Sequence, residues 1–322
     1  MRGCVLLLIG AAACAGGCET ADGAMRMTLA GASPGGAWSA VGEAITNELR
    51  QAIPGSAFTL EPGQDGANAA LVHSGKVELS LVHASIARAA IAGTFPFETA
   101  HADVRAITLI YADVPFHFIV DRRAGVRTFE EIGARRPPLR IAVNTRGSLM
   151  ELATRTTLEA YGIGYDDIRA AGGDVLFYPL NTSYELMQRR RVDAIGVTVQ
   201  VPSTQTLAAS RLLNFDLLSL SPEAVGFVNR RLGTDAATIP RDAYPFLDRD
   251  IQTFAGRVLL ITRGAVPEEE IYQITRALHG RLDHLRRAHS SLTALTPEAM
   301  PQVGGVPLHR GAERFYREIG VL

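Results

Sequence analysis

Six residues near the start of the chain, Gly31-Ala32-Ser33-Pro34-Gly35-Gly36, have the types and spacing that suit chemistry. A glycine loop between a strand and a helix can cradle a phosphate, bind a dinucleotide, present a nucleophile or simply turn the chain. A phosphate loop needs lysine and a hydroxyl after its last glycine, and Ala37 and Trp38 stand there instead. The dinucleotide fingerprint fails because Ser33 replaces its second glycine. Gly31-x-Ser33-x-Gly35 does match the nucleophile elbow of α/β-hydrolases, with Ser33 as nucleophile. Against this, the oxyanion hole needs an N–H from an earlier strand, and the expected mature chain offers almost nothing before this one. The third chemistry is a socket, in which the free N–H groups of a helix start and the positive end of its dipole accept a carboxylate. A purely structural glycine turn is the plain alternative.

Metal chemistry is not expected. His279, His284 and His289 are five apart, and each step turns a helix by roughly 140°, so they point in different directions. The chain has no HExxH motif, and all three cysteines, Cys4, Cys14 and Cys18, fall in the first eighteen residues. No cofactor is implied either. His309 reads as structural.

The elements around the loop are of α/β type. Arg26 to Gly31 alternates as a half-buried strand does, and Val41, Ala44, Ile45, Leu49, Ala52 and Ile53 recur at helical spacing until Pro54-Gly55. The unit repeats with a strand at 58–60, a loop at Gly63-Gln64-Asp65-Gly66, a helix carrying Leu71 and Val72, and a strand at 79–83. Such alternation predicts a largely parallel sheet. Two apolar stretches, 104–112 and 116–120, look like strands that cross between lobes, and a further strand is expected at 139–143. Ser148 begins a helix to Tyr161, Thr182 and Glu185 have capping-box spacing, and Asp193 to Val199 is a strand. After the apolar segment 251–263, Pro267 and three glutamates open a helix with Ile271, Ile274, Leu278, Leu282 and Leu285 on one stripe.

At 322 residues and 47% hydrophobic composition the chain is large enough for two lobes. Lysine plus arginine number 32 against 33 acids, with Lys76 the only lysine, which advertises neither nucleic acid nor a membrane surface. Arg2, the apolar run from Val5 to Ala13 and the small residues Ala15-Gly16-Gly17 have the layout of a short export signal. Its end at Cys18 is similar to a lipobox, so residues 1–17 are expected to be removed and Cys18 acylated, leaving 18–25 as a linker. Ordinary cleavage nearby is the alternative.

From Leu29 onward the chain resembles TAXI-type receptors of TRAP transporters. The resemblance is carried by Gly35-Gly36-Ala37-Trp38, Gly66-Ala67-Asn68, and Ser74-Gly75-Lys76-Val77-Glu78 leading into Leu79-Ser80-Leu81-Val82. Val104-Arg105-Ala106-Ile107 with Tyr111, Val192-Asp193-Ala194 with Val201-Pro202, and Ile239-Pro240 with Tyr244-Pro245 continue it, as does Leu308 to Gly320. The chain departs from the family where Gly-Ser-Gly-Thr is usual and Gly147-Ser148-Leu149-Met150 stands, and at Ser39, where an aromatic is usual.

The resemblance implies a two-lobed α/β fold. Residues 26–118 and 256–322 would form lobe I and 119–255 lobe II, each a mixed, mostly parallel sheet flanked by helices and joined by crossing strands. It also implies a non-enzymatic periplasmic receptor for a small organic anion, a dicarboxylate, 2-oxo acid or acidic amino acid. The receptor would be a monomer held to the membrane only by its lipid and partnered by the TRAP membrane subunit. One helix terminus supplies only about 0.3 to 1 kcal/mol, so several donors must converge. The expected ligand contacts are Ser33, Gly35, Gly36 and Trp38, Gln64 and Asn68, His83, Asn144, Arg146 and Ser148, with Tyr244 and Trp38 over the apolar part. Arg146 is either a bidentate anchor for a carboxylate or a solvated side chain. Rival readings are a binding protein for an ABC importer or sensor, a serine hydrolase using Ser33, and a scaffold without ligand.

Overall fold

The computed structural model describes residues 24–31 and 37–322. The strands are β1 (Arg26–Ala30), β2 (Ala57–Glu61), β3 (Leu79–His83), β4 (Val104–Asp121), β5 (Arg140–Ala142), β6 (Asp174–Leu176), β7 (Ala194–Thr198), β8 (Phe215–Leu217), β9 (Asp235–Ile239) and β10 (Ile251–Arg263). Between and after them lie α1 (Ala37–Ala52), α2 (Asp65–His73), α3 (Ala84–Ala92), α4 (Phe129–Arg135), α5 (Leu149–Ala160), α6 (Tyr165–Ala170), α7 (Leu180–Gln188), α8 (Thr204–Ser210), α9 (Pro222–Leu232), α10 (Glu268–Gly280), α11 (Leu282–Ala288) and α12 (Arg310–Glu318).

The strands form one sheet in the order β2-β1-β3-β10-β4-β7-β5-β6, with β8 on β4 and β9 on β10. β1 is parallel to β2 and β3, and β5 is parallel to β6 and β7, so each half carries the strand-helix-strand crossovers that its alternating apolar pattern predicts. The long strands β4 and β10 run antiparallel through the middle. β4 pairs with β10 as far as Pro115 and with β7 from Phe116 onward, so a single strand serves both halves. The apolar stretches 104–112 and 116–120 are therefore one strand, Pro115 being admitted where the partner changes. β3, buried at every residue, lies between β1 and β10, which explains its unbroken apolar character.

Two local expectations are corrected. Thr182 does not cap a helix, because α7 begins at Leu180 with Pro179 in the extended capping position, which places Thr182 inside the helix. The stripe from Ile271 to Leu285 is split between α10 and α11 at Arg281, whose backbone leaves helical geometry (φ −109°). Ile271, Ile274, Leu278, Leu282 and Leu285 are all buried nonetheless, so the apolar stripe survives the break. Among the described residues no helix is long and apolar enough to cross a membrane.

Candidate functional site

The end of β1, the turn between β2 and α2, the end of β3 and the turn between β5 and α5 meet at one place, the edge where open α/β sheets hold their ligands. Asn68, in the second turn of α2, ties the first of these turns together. Its amide donates to the carbonyls of Gly31 (2.8 Å) and Leu81 (2.7 Å), and its Oδ1 accepts from the Gln64 N–H at 3.0 Å. A side chain with no exposure thus joins the end of β1, the loop before α2 and strand β3. The predicted ligand contact is a brace: its polar atoms are spent on backbone.

Asp65 opens α2, is buried at 8% exposure and carries the densest polar geometry of this region. Its Oδ1 accepts from the His83 backbone N–H at 3.0 Å, and its Oδ2 lies 2.8 Å from His83 Nδ1. The same Oδ2 accepts from the N–H of Leu149, the first residue of α5, at 3.1 Å. A buried carboxylate is costly unless hydrogen-bonded, and three N–H groups satisfy this one. One of the three comes from the other half of the molecule.

Apolar and aromatic groups close around the pair. The Trp38 ring stands 4.8 Å from that of His83. Burial pushes the Tyr111 phenol well above its ordinary value, with Trp38 opposing the shift and the Asp65 charge adding to it, so Tyr111 is neutral. Leu149 is fully buried, and the missing side chain of Gly256 makes room for it, since a Cβ there would come within 2.8 Å of Leu149 Cδ2 and 3.5 Å of His83 Cδ2. The bulky residue at Leu149 therefore packs against β10, filling space between the halves.

The start of α5 is also gripped from outside. Ser148 caps it through Oγ, which accepts from the Glu151 N–H at 3.3 Å. Glu151 is fully buried, accepts from the Gly147 N–H (3.2 Å), and is held by Arg155 at 2.6 Å. Arg155 in turn lies 4.6 Å from the ring centre of Phe95. Gly147 (φ +71°) adopts a left-handed turn that brings its chain against Pro96, and a Cβ on Gly66 would sit 3.2 Å from the Gly147 carbonyl. The turns 63–68 and 144–148 are thus in direct contact.

The predicted residues separate clearly. Trp38, Gln64, Asn68, His83, Asn144 and Ser148 belong to turns or elements that these contacts bring together. The Gln64 side chain is exposed, and Asn144 supplies a left-handed turn residue (φ +68°). Arg146 is exposed, with its guanidinium carbon 3.6 Å from the ring centre of Phe177 and no carboxylate partner among the described residues. Ser33, Gly35, Gly36 and Cys18 lie outside the described residues. The Tyr244 side chain points into the interior. It has no exposure, stacks on Phe246, accepts from the Ser203 N–H at 2.9 Å and lies 3.0 Å from His117 Nε2. Because His117 Nδ1 is 2.9 Å from the Pro115 carbonyl, which only accepts, its proton is on Nδ1 and Tyr244 donates to Nε2.

Asp65, Tyr111 and Leu149 were not on the predicted ligand set. For Asp65 the available signal was an acid in the first turn of a helix beginning in a glycine loop; for Leu149 it was the departure from the glycine usual there. A hollow of about 450 Å³, lined by Arg140, Tyr178, Leu186, Arg189 and Arg191 among others, shares no residue with this cluster. Among the described residues no group of three potential ligands could hold a metal ion.

Residues 29–320 match the model of the NMT1-like family. The chain belongs to the NMT1-like family. Solved structures resemble this NMT1-like chain at the level of fold. MatC from Rhodopseudomonas palustris, solved with bound malate, is 16% identical with a TM-score of 0.58, over 91% of this chain and 98% of that one. PhnD1 from Prochlorococcus marinus, in complex with methylphosphonate, is 9% identical with a TM-score of 0.57, over 93% and 99%. The alkanesulfonate-binding protein SsuA from Xanthomonas axonopodis pv. citri, bound to MOPS, is 15% identical with a TM-score of 0.51, over 92% and 83%. The NMT1-like chain accordingly has the two-lobed α/β fold of periplasmic binding proteins.

Proposed function

We propose that this NMT1-like protein is an extracytoplasmic solute receptor of the TAXI type, which binds a small organic anion and delivers it to a TRAP membrane subunit. The observation that carries the reading is the meeting of the end of β1 at Gly31 with the turns before α2 and α5, contributed by both halves, at the carboxyl edge of the sheet. The molecules bound to the neighbouring folds, malate, methylphosphonate and MOPS, are all small acids. Arg146, exposed beside the α5 turn, is the cationic group that would meet such a solute. Residues 26–118 with 256–322 would move against 119–255 about β4 and β10, and closure is favoured only as far as the solute touches both bodies. In this reading residues 1–17 are a cleaved export signal, and Cys18 is acylated and holds a periplasmic monomer to the membrane.

A thermal-shift screen of malate, 2-oxo acids and acidic amino acids tests the proposal. A true solute at a hundred times its Kd stabilises by about 2.7 kcal/mol. No stabilisation by any organic anion would sink the reading. A TRAP membrane subunit encoded beside this chain, rather than an ATPase subunit, supports the choice of transporter.

A second reading draws support from one observation. Asp65 and His83 lie at the distance of an acid–imidazole pair, and Ser33, Asp65 and His83 stand in the serine, acid, histidine chain order of α/β-hydrolases. Against it, Asp65 is also bound to Leu149 and His83 is 3% exposed beside Trp38. Ser33→Ala should leave the hydrolysis of p-nitrophenyl acetate unchanged, and a serine-dependent loss of turnover would favour the hydrolase.

A further inference from the structure

The first free N–H of α5 is where the dipole and the unpaired donors of a helix start attract an anion. In this molecule a carboxylate is already there, and it is the protein's own. Asp65 Oδ2 reaches the Leu149 N–H across 84 positions of sequence, at 3.1 Å, while its other bonds anchor it to His83. Leu149 fills the space between His83 and Gly256. Three further contacts join the two halves: Pro96 on Gly147, Phe95 under Arg155, and Ser291 Oγ on Gln200 Oε1 at 2.8 Å. Each joins an element of the first half to one of the second.

We propose that Asp65 is an internal anion that latches the two halves through the α5 amide and competes with the solute for it, making Asp65 and Leu149 specificity-determining residues. A solute carboxylate cannot use the Leu149 N–H while Asp65 holds it. An acid must therefore bind outward of this position, toward Arg146, or displace the latch. Leu149 denies the inner space to any bulky group. The latch stands on the contact itself; only its effect on solute choice rests on the receptor reading.

Trp38 is the only tryptophan in the chain and packs on His83, so it reports on this junction. The test compares wild type, Asp65→Ala and Asp65→Asn by acrylamide quenching of Trp38 and by small-angle scattering, with acetate as the probe. In Asp65→Ala the ratio of closed to open molecules should fall at least about tenfold, equivalent to about 1.4 kcal/mol. Trp38 then becomes more quenchable and the radius of gyration grows. Acetate should reverse both by occupying the emptied amide, and should do nothing to wild type. Asp65→Asn, which keeps a carbonyl oxygen at the amide, should open less and ignore acetate. An Asp65→Ala protein that is folded by circular dichroism, as compact as wild type and indifferent to acetate overturns the latch.

If neither variant folds, hydrogen exchange in wild type decides. A Leu149 amide as protected as the interior of α5 supports the latch, and one exchanging freely refutes it. Malate should bind Asp65→Ala at least about tenfold more tightly than wild type. Unchanged malate affinity removes the competition while leaving the latch. Opening and acetate rescue would occur even in a chain that carries no solute, so failure of the latch and failure of the receptor reading are separable.

Discussion

Two buried histidines, His83 and His117, sit at 3% and 1% exposure and are held in opposite ways. His83 bonds to a carboxylate that itself reaches into the other half, so its surroundings are charged and spread over β3, α2 and α5. His117, on β4 just past the point where that strand changes partners, bonds to a carbonyl and a phenol, with no ion pair among the described residues. Burial pushes its imidazole down to about 4. Depth alone therefore does not tell a histidine's role. What differs is the partner: His83 shares a carboxylate with the start of α5, whereas His117 is held by two neutral groups and braces the strand that both halves share.

Acid should break the comparison most strongly. The folded His117 stays neutral down to pH of about 4, whereas in the unfolded chain it takes up a proton below about 6.5. The stability it contributes is present above the unfolded value and lost as pH falls through this window, by about 3 kcal/mol in all. Melting curves of wild type and His117→Gln between pH 7 and pH 4, roughly the range spanned, should converge toward acid. Parallel curves would show that His117 is not the neutral brace described.

Tyr244→Phe comes next. It leaves the Ser203 N–H and His117 Nε2 without their partner, which should cost about 1–3 kcal/mol in chemical denaturation. Solute affinity should be unchanged, because Tyr244 is fully buried and its hydroxyl is already bonded within the protein; a fall in affinity would make it a ligand contact. Gly256→Ala acts on the other side of the comparison. Its new methyl meets Leu149 Cδ2, so a destabilisation of about 1 kcal/mol is expected, together with greater quenching of Trp38. The smallest stability effect belongs to Arg146→Ala, within about 0.5 kcal/mol because the side chain is exposed. Its solute affinity should nonetheless fall about tenfold in calorimetry if the arginine meets an acid. Equal affinity would make Arg146 a solvated residue resting on Phe177.

What was legible in advance depended on the range of the interaction. The β1–loop–α1 and β2–loop–α2 units, the buried strand β3 and the crossing strands could be read because apolar spacing and glycine turns act over a few residues. The short strands β6, β8 and β9 could not, since three to five residues carry too little pattern to separate strand from loop. The turns before α2 and α5 stand out in the sequence by their glycines and do touch in the fold, but the roles of the residues within them depend on distant partners. Asn68 was read as a donor to ligand because an amide can serve a ligand or a backbone equally well, and only the positions of Gly31, Gln64 and Leu81 reveal which it serves. Tyr244 shows the same limit, a phenol near a predicted turn being set against His117, 127 positions away in the sequence.

The amino-acid order by itself thus determined an α/β chain in which glycine turns open helices at strand ends, because backbone geometry and side-chain periodicity are local. It also carried the similarity that points to a receptor, since those motifs are short and ordered. Only the tertiary structure decided that the carboxylate at the α5 start would come from Asp65. That bond forms between segments 84 positions apart, and its existence depends on the packing of β3, β10 and both helices, which no local pattern encodes.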